Sequence, residues 1–194
     1  MDSPRVLILP GWQNSGPGHW QSRWQEHHGY ERVEQHDWCN PLRGDWVARL
    51  EDVLLQPPPG RERAAPAVLV AHSLGCQLVA AWAAHSHNTQ RVCGALLVAP
   101  GDLQRPELRE LMPSWSPPVL RKLPFRSLLL GSQDDPYCDI ARARVFAHAW
   151  GSVFVDYGRC GHINADSGLE LWPQGHRLLQ SLVPQESLEE KYRE

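Results

Sequence analysis

A mainly parallel β-sheet with helices on both faces is the fold that this 194-residue chain predicts. Short apolar runs typical of buried strands alternate with longer segments of helical periodicity. Strands that alternate with helices form βαβ units, whose crossovers place helices over both faces of the sheet. Three of the apolar runs lead into a serine, a pair of aspartates and a histidine. Parallel sheets carry their chemistry beyond the C-terminal ends of their strands, which is where these side chains stand.

The predicted strands are short apolar runs bounded by glycine, proline or polar residues, a pattern typical of strands buried on both faces. The first lies before a glycine-rich loop that extends from Gly11 to Gly18, and the third lies directly before Ser73. The last precedes a loop that contains Gly161 and His162. In chain order the predicted strands span residues 6–9, 30–35, 67–71, 92–99, 127–131 and 152–156.

The predicted helices repeat apolar residues at helical intervals. Trp20 and Trp24 share one face of the first helix, and Asp45 is expected to cap the second, which ends at the prolines after Gln56. The last helix is expected to be interrupted near Pro173, because proline disrupts a helix interior. In chain order the predicted helices span residues 19–28, 45–55, 75–85, a short segment around 107–111, 139–150 and 169–182.

The segment Ala71-His72-Ser73-Leu74-Gly75 predicts a nucleophile elbow, because it joins an apolar strand to an alanine-rich helix. Such a turn strains its serine and needs small residues two positions before and after it, so Ala71 is acceptable in place of glycine. We expect Ser73 to be the nucleophile and the N–H of Leu74 to be one oxyanion donor.

The second oxyanion donor is expected in the loop after the first strand, as the N–H of Gly11 or Trp12. Two other interpretations of the loop 11–18 compete with this one. A phosphate-binding loop would need a G-K-[ST] ending, and a dinucleotide fingerprint would need a third glycine. The chain has neither feature at this position.

His162 is the expected general base, since it follows the last strand and the preceding glycine lets its loop fold towards the serine. The acid that orients its imidazole is Asp134 or Asp135, because two adjacent carboxylates cannot both face one histidine. Asp135 is the preferred candidate, and Asp102, which follows the preceding strand, is a further one.

The chain order of serine, aspartate and histidine is typical of α/β-hydrolases. We expect one such domain over residues 1–184, with a charged tail, 185–194, that frays. A chain of this length can bury roughly 70% of its unfolded surface, which is enough for a core without disulfides. The connection from Pro100 to Phe125, where many α/β-hydrolases carry a lid, is too short for a lid domain, so an open, shallow site is expected.

The composition argues against nucleic-acid, membrane and metal partners. The net charge of −3 and the scattered arginines lack the basic patch of a nucleic-acid binder. No segment approaches the roughly 18 apolar residues of a spanning helix, and the first apolar run is too short for a signal peptide. Five cysteines without a CxxC pair predict free thiols in a reducing, cytoplasmic compartment. The paired histidines lack the spacing of metal ligands.

Six segments of the chain carry a resemblance to a known family, namely residues 9–11, 18–20, 71–75, 99–102, 135–137 and 161–164. In these segments the chain resembles the retinoblastoma-binding-protein-9-like serine hydrolases, which include the bacterial YdeN-type proteins. This resemblance implies a lidless serine hydrolase with a Ser–Asp–His triad and no metal, and the family's D-P-[YF] motif assigns the acid to Asp135. The family's retinoblastoma-binding L-x-C-x-E motif is absent, because Leu78 stands where glutamate is needed.

The leading hypothesis is cofactor-free hydrolysis of small carboxylic esters or amides through an acyl-enzyme on Ser73. A first alternative is a binding or regulatory module built on a hydrolase fold with a vestigial site. A vestigial site loses its nucleophile or base freely, so the intact set of three residues argues against this alternative. A second alternative is acyl transfer by the same residues to an acceptor other than water.

Overall fold

Six parallel strands form one sheet in the computed structural model, which describes residues 4–57, 60 and 65–184. The strand order across the sheet is β2-β1-β3-β4-β5-β6. The central strands are in register, so that Leu9, Ala71 and Leu97 lie side by side. The strands are β1 (Arg5–Leu9), β2 (Glu31–Arg32), β3 (Ala67–His72), β4 (Val92–Val98), β5 (Arg126–Gly131) and β6 (Val153–Asp156).

Helices cover both faces of this sheet. Within the described residues they are α1 (Trp20–His28), α2 (Arg43–Leu55), α3 (Leu74–His85), α4 (Pro106–Leu111), α5 (Ile140–Trp150) and α6 (Pro173–Leu182). Helices α2, α3 and α5 share one hydrophobic core with the sheet, and α1 and α6 share the core on the opposite face. The architecture is that of an α/β-hydrolase, as the sequence predicts. No helix in the described part of the chain is long and apolar enough to cross a membrane.

Residues of the central strands alternate between the two cores. In β3, Leu69 and Ala71 face the core of α2, α3 and α5, whereas Val68 and Val70 face the core of α1 and α6. All four side chains are fully buried. Because both faces of the sheet are covered here, both sets of side chains are apolar, which explains the continuous apolar run at residues 67–71 of the sequence.

Two elements in the first third of the chain have a boundary that differs from the prediction by two residues or more. Strand β2 pairs with β1 only over Glu31–Arg32, because this edge strand has one neighbour and the chain becomes polar beyond Val33. Helix α2 begins at Arg43 and not at Asp45, which was wrongly predicted as its cap. The Asp45 carboxylate instead lies in the first turn, where it complements the helix dipole.

The last helix is not an interrupted helix from residue 169, because α6 begins at Pro173. Trp172 has a left-handed backbone (φ 43°), and its indole packs so closely on Gly175 that a Cβ there would lie 2.3 Å from the ring. This conformation takes residue 172 out of the helix, and proline at the first helical position loses no hydrogen bond. The predicted tail, 185–194, lies outside the described residues.

The connection between β4 and β5 forms no separate lid domain. It contains α4 and a 3-10 turn, Pro113–Trp115, that pack into the core of α2, α3 and α5, where Trp115 contacts Trp46 of α2. Leu108, Met112 and Trp115 are buried there. The connection is therefore part of the main body of the fold, and it supplies a wall of the cavity described below.

Candidate active site

Ser73 connects β3 to α3 with a backbone φ of 54° and ψ of −118°. A positive φ is uncommon for a residue with a Cβ, and such positions concentrate at functional sites. The turn depends on a close approach, since a Cβ on Gly75 would lie 2.3 Å from the carbonyl oxygen of Leu9. Ala71, the other small residue of the motif, is fully buried between β1 and β4. The structure thus has the sharp strand-to-helix turn that the motif predicts.

The loop after β1 lies against this serine. A Cβ on Gly11 would be 2.8 Å from the Cβ of Ser73, so this close contact requires glycine. Gly11, Trp12 and Leu74 line the same cavity as Ser73. Leu74 is the first residue of α3, so its N–H has no acceptor within the helix and lies at the positive end of the helix dipole. The Trp12 indole N–H donates to the carbonyl of Cys39 at 2.8 Å, which anchors the loop.

His162 lies between Ser73 and Asp135. Its Nε2 atom is 2.9 Å from Ser73 Oγ, and its Nδ1 atom is 2.9 and 3.0 Å from the two carboxylate oxygens of Asp135. A carboxylate only accepts hydrogen bonds, so Nδ1 carries the proton and Nε2 is free to accept from the serine hydroxyl. The backbone N–H of Tyr137 donates to Asp135 at 2.9 Å and fixes the carboxylate. Asp135 and His162 are both buried.

The other two candidate acids have different partners. Asp134 accepts hydrogen bonds from the N–H of Gly161 at 2.8 Å and the hydroxyl of Ser132 at 2.9 Å. These bonds, the first above all, hold the pKa of the Asp134 carboxyl below its usual range. Asp102 pairs with Arg142 at 3.2 Å. Asp134 therefore stabilises the loop that carries His162, while Asp135 is the carboxylate that faces the imidazole.

Two further histidines, His19 and His72, pack beside His162. The His72 ring packs 4.7 Å from the ring of His162 and 4.7 Å from the ring of His19, measured between ring centroids. Burial, reinforced by neighbouring imidazoles, lowers the pKa of His19 to about 3 and that of His72 well below its usual value. Both are therefore neutral near pH 7. His19 Nδ1 accepts from the N–H of Gln21 at 3.1 Å and so caps α1.

Neither His19 nor His72 has a function that the sequence pattern predicts. Both histidines stand next to recognisable sequence motifs, because His72 precedes the elbow serine and His19 follows the glycine-rich loop. The contact between the two rings could not be predicted from the sequence, since it joins the loop after β1 to the end of β3. The same holds for Tyr137, whose ring packs 4.6 Å from that of His162.

A cavity of about 290 Å³ opens at Ser73. One wall is apolar and consists of Leu74, Leu103, Leu108 and Met112. The other wall comes from the loops before α1 and after β6 and is polar through the side chains of Asn14, His19 and Asn164. Among the described residues no group of three metal-ligating side chains is assembled.

A protein-family model described as serine hydrolase matches residues 6–181. The chain belongs to this serine hydrolase family. No curated protein matches the chain significantly. A solved YdeN-like hydrolase from Pectobacterium atrosepticum is 28% identical, with a TM-score of 0.77 and 94% of each chain covered.

Two more distant solved structures share the fold of this serine hydrolase. The ydeN gene product of Bacillus subtilis is 20% identical, with a TM-score of 0.71. The match covers 93% of this chain and 98% of the ydeN chain. The esterase RhEst1 from a Rhodococcus species is 14% identical, with a TM-score of 0.61. The match covers 93% of this chain and 91% of the RhEst1 chain. The family match and the YdeN-like relative agree with the resemblance found in the sequence, so the chain is a hydrolytic enzyme similar to the YdeN-type proteins.

Proposed function

We propose that this serine hydrolase cleaves carboxylic esters or amides through an acyl-enzyme on Ser73, with His162 as base and Asp135 as the acid that orients it. The observation that carries the proposal is the continuous hydrogen-bonded series from Asp135 through His162 to Ser73, in which the three contacts are 2.9 to 3.0 Å. This is the geometry that nucleophilic catalysis by serine requires.

In the first step, Ser73 Oγ attacks the carbonyl carbon while its proton passes to His162 Nε2. The tetrahedral intermediate collapses as the bond to the leaving group breaks, and the leaving oxygen or nitrogen takes the proton from Nε2. Asp135 stays ionised and stabilises the imidazolium that forms in between. The products of this step are the acyl-Ser73 ester and a free alcohol or amine.

In the second step, water replaces the leaving group. It gives a proton to His162 Nε2 and attacks the acyl carbon, after which the bond to Ser73 Oγ breaks and Oγ regains the proton. The carboxylic acid departs and the three side chains return to their starting protonation states.

Backbone donors would stabilise the negative oxygen of both intermediates. The N–H of Leu74 is one donor, and the N–H of Gly11 or Trp12 is the other, since all three residues line the cavity beside Ser73. The loss of one such donor typically costs about a hundred- to a thousandfold in rate. Both donors belong to the main chain, so they are held rigidly by the turn at Ser73 and by the anchored loop after β1.

Labelling with a fluorophosphonate probe tests this proposal directly. The wild type and Ser181→Ala, a variant at an exposed serine on α6, should both be labelled. Ser73→Ala should not be labelled, and His162→Ala should react far more slowly because its serine lacks a base. A folded wild type that resists the probe, or a Ser73→Ala variant that reacts equally well, would overturn the assignment.

Matched chromogenic substrates then separate the two reaction classes. Turnover of a p-nitrophenyl ester and of the corresponding p-nitroanilide with the same acyl group compares ester with amide cleavage. The proposal requires turnover of at least one of them that disappears in Ser73→Ala.

A further inference from the structure

The two walls of the cavity differ in chemistry because they continue opposite faces of the sheet. Leu103, Leu108 and Met112 follow β4 and belong to the core that the sheet shares with α2, α3 and α5. The polar wall, which contains Asn164, lies at the opposite face of the sheet, because the neighbouring Ile163 belongs to the core of α1 and α6. A substrate bound at Ser73 therefore meets an apolar surface on one side and a polar surface on the other.

The polar wall offers hydrogen-bond donors. Asn14 Oδ1 accepts from the guanidinium of Arg32 at 2.6 Å, and Asn164 Oδ1 accepts from the N–H of Asp166 at 3.1 Å. Both partners can only donate, so these bonds fix the orientation of the two amides. Neither Nδ2 group donates to a protein acceptor within the described ranges, and neither is an orphaned buried atom. The two amide groups are thus free to donate to a ligand.

The lining of the cavity is uncharged in the part of the chain that the structure describes. None of the described residues that line the cavity is an aspartate, glutamate, lysine or arginine. A charged group on a substrate would lose its hydration there without gaining an ionic partner, which is costly. The cavity volume of about 290 Å³ also lies just below the roughly 300–1,000 Å³ that is usual for ligand pockets. The site therefore fits a small, uncharged substrate.

The position of His162 decides which part of the substrate meets which wall. Its Nε2 atom must reach the leaving group to protonate it, so the leaving group lies on the side of His162. His162 and Asn164 come from the same loop, next to the polar wall. The acyl chain, attached to the same carbonyl carbon, is then directed to the apolar wall.

We propose that the enzyme takes uncharged esters or amides with a short apolar acyl chain against Leu103, Leu108 and Met112, and a leaving group with oxygen acceptors against Asn14 and Asn164. The proposal rests on the function assigned above to Ser73 and His162. It adds the class of substrate and its orientation, both of which follow from the two walls.

A series of p-nitrophenyl acetate, butyrate, hexanoate and octanoate tests the apolar wall. One methylene in a fitted pocket changes kcat/KM by about tenfold or more, so the wild type should favour the short chains over octanoate by at least this factor. Leu108→Ala and Met112→Ala should move the optimum to longer chains, and Leu108→Phe should move it to acetate. Leu111→Ala is the matched control, since Leu111 lies on the same helix, is exposed and does not line the cavity.

Two substrate pairs test the charge and the orientation. The p-nitrophenyl ester of succinic acid, with an anionic acyl chain, should be cleaved at least about tenfold more slowly than the pentanoate of similar size. Methoxyethyl butyrate should be cleaved faster than butyl butyrate, an isostere without the ether oxygen, and this ratio should not change in Leu108→Ala. In the chain-length series, Leu108→Ala and Leu108→Phe should move the preferred acyl chain length in opposite directions. A loss of protein stability alone cannot produce both shifts.

The outcomes separate this proposal from the function on which it rests. Fluorophosphonate labelling of Ser73 and hydrolysis of esters would support the catalytic assignment. If the Leu108 and Met112 variants then change kcat/KM by the same factor for every chain length, the proposed orientation is wrong and the catalytic assignment stands. Cleavage of the succinate ester as fast as the pentanoate would overturn the uncharged substrate class. If Ser73 is neither labelled nor needed for turnover, the catalytic assignment itself fails.

Discussion

The Nε2 atom of His72 lies 2.9 Å from the backbone carbonyl oxygen of His162. A carbonyl only accepts, so Nε2 carries the proton and donates it. His72 also precedes Ser73 in the chain, so a single side chain joins the serine turn to the histidine loop. Burial, reinforced by the imidazoles of His19 and His162, keeps the pKa of His72 well below its usual value, so that the ring stays a neutral donor.

Replacement of His72 is expected to impair catalysis through the position of His162. His72→Phe keeps a ring but removes the donor, and a displacement of the base by about 1 Å can cost on the order of a hundredfold in rate. We expect a fall of about ten- to a hundredfold in kcat with little change in KM, measured with a p-nitrophenyl ester. His72→Gln, whose amide can donate to the carbonyl, should recover much of this loss. Equal rates in the wild type and His72→Phe would show that the contact is not needed.

The two adjacent aspartates should respond differently to the same change. Asp135→Ala removes the carboxylate that orients His162, and the expected loss in kcat is about ten-thousandfold. Asp134→Ala removes the anchor of Gly161 and should cost about tenfold or less, together with a lower melting temperature. Ester turnover and thermal unfolding of both variants provide the comparison. A larger catalytic loss in Asp134→Ala would reverse the assignment.

Two glycines of the loop after β1 form a second matched pair. A Cβ on Gly11 would lie 2.8 Å from the Cβ of Ser73, whereas a Cβ on Gly18 would make only an ordinary contact, 3.8 Å from the Cβ of Ala165. Gly11→Ala should therefore displace the serine or the oxyanion loop and lower kcat/KM by about a hundredfold. Gly18→Ala should stay within about twofold of the wild type, since Gly18 neither contacts the serine nor lines the cavity. Similar activities in the two variants would contradict the close approach.

The stability of the fold should decrease as the pH falls below about 6.5. In the folded protein, burial lowers the pKa of His19 to about 3, whereas in the unfolded chain it returns to about 6.5. Between these values the unfolded state binds a proton that the folded state does not. The stabilisation is thus fully present above pH 6.5 and is lost as the pH falls, by about 1.4 kcal/mol per pH unit for such a histidine.

Urea unfolding at about pH 7 and about pH 5 measures this slope. His19→Gln keeps an acceptor for the N–H of Gln21 but does not titrate, so its free energy of unfolding should depend less on pH than that of the wild type. The exposed His87 offers a control, because His87→Gln should leave the slope unchanged. A wild type whose stability is constant over this range would contradict a neutral, buried His19.

The positions of most strands and helices were readable from the sequence because they depend on local patterns. Continuous apolar runs placed the central strands to within a residue or two, and the A-x-S-x-G turn placed Ser73 between β3 and α3. The errors fell where a distant contact overrides the local pattern. The indole of Trp172 packs against Trp20 and Trp24 of α1 and lies outside α6, and β2 is short because it lies at the edge of the sheet.

The sequence by itself determined the fold, the elbow at Ser73 and the candidate base His162, since each is marked by residues next to it in the chain. Only the tertiary structure decided which carboxylate faces the imidazole and how His19, His72 and His162 pack together. These relationships join residues far apart in the chain, such as the pair formed by Ser73 and His162, which are 89 positions apart. Their geometry depends on how the strands are ordered in the sheet and where the loops at its C-terminal edge fold, and no local pattern of residues specifies those distances.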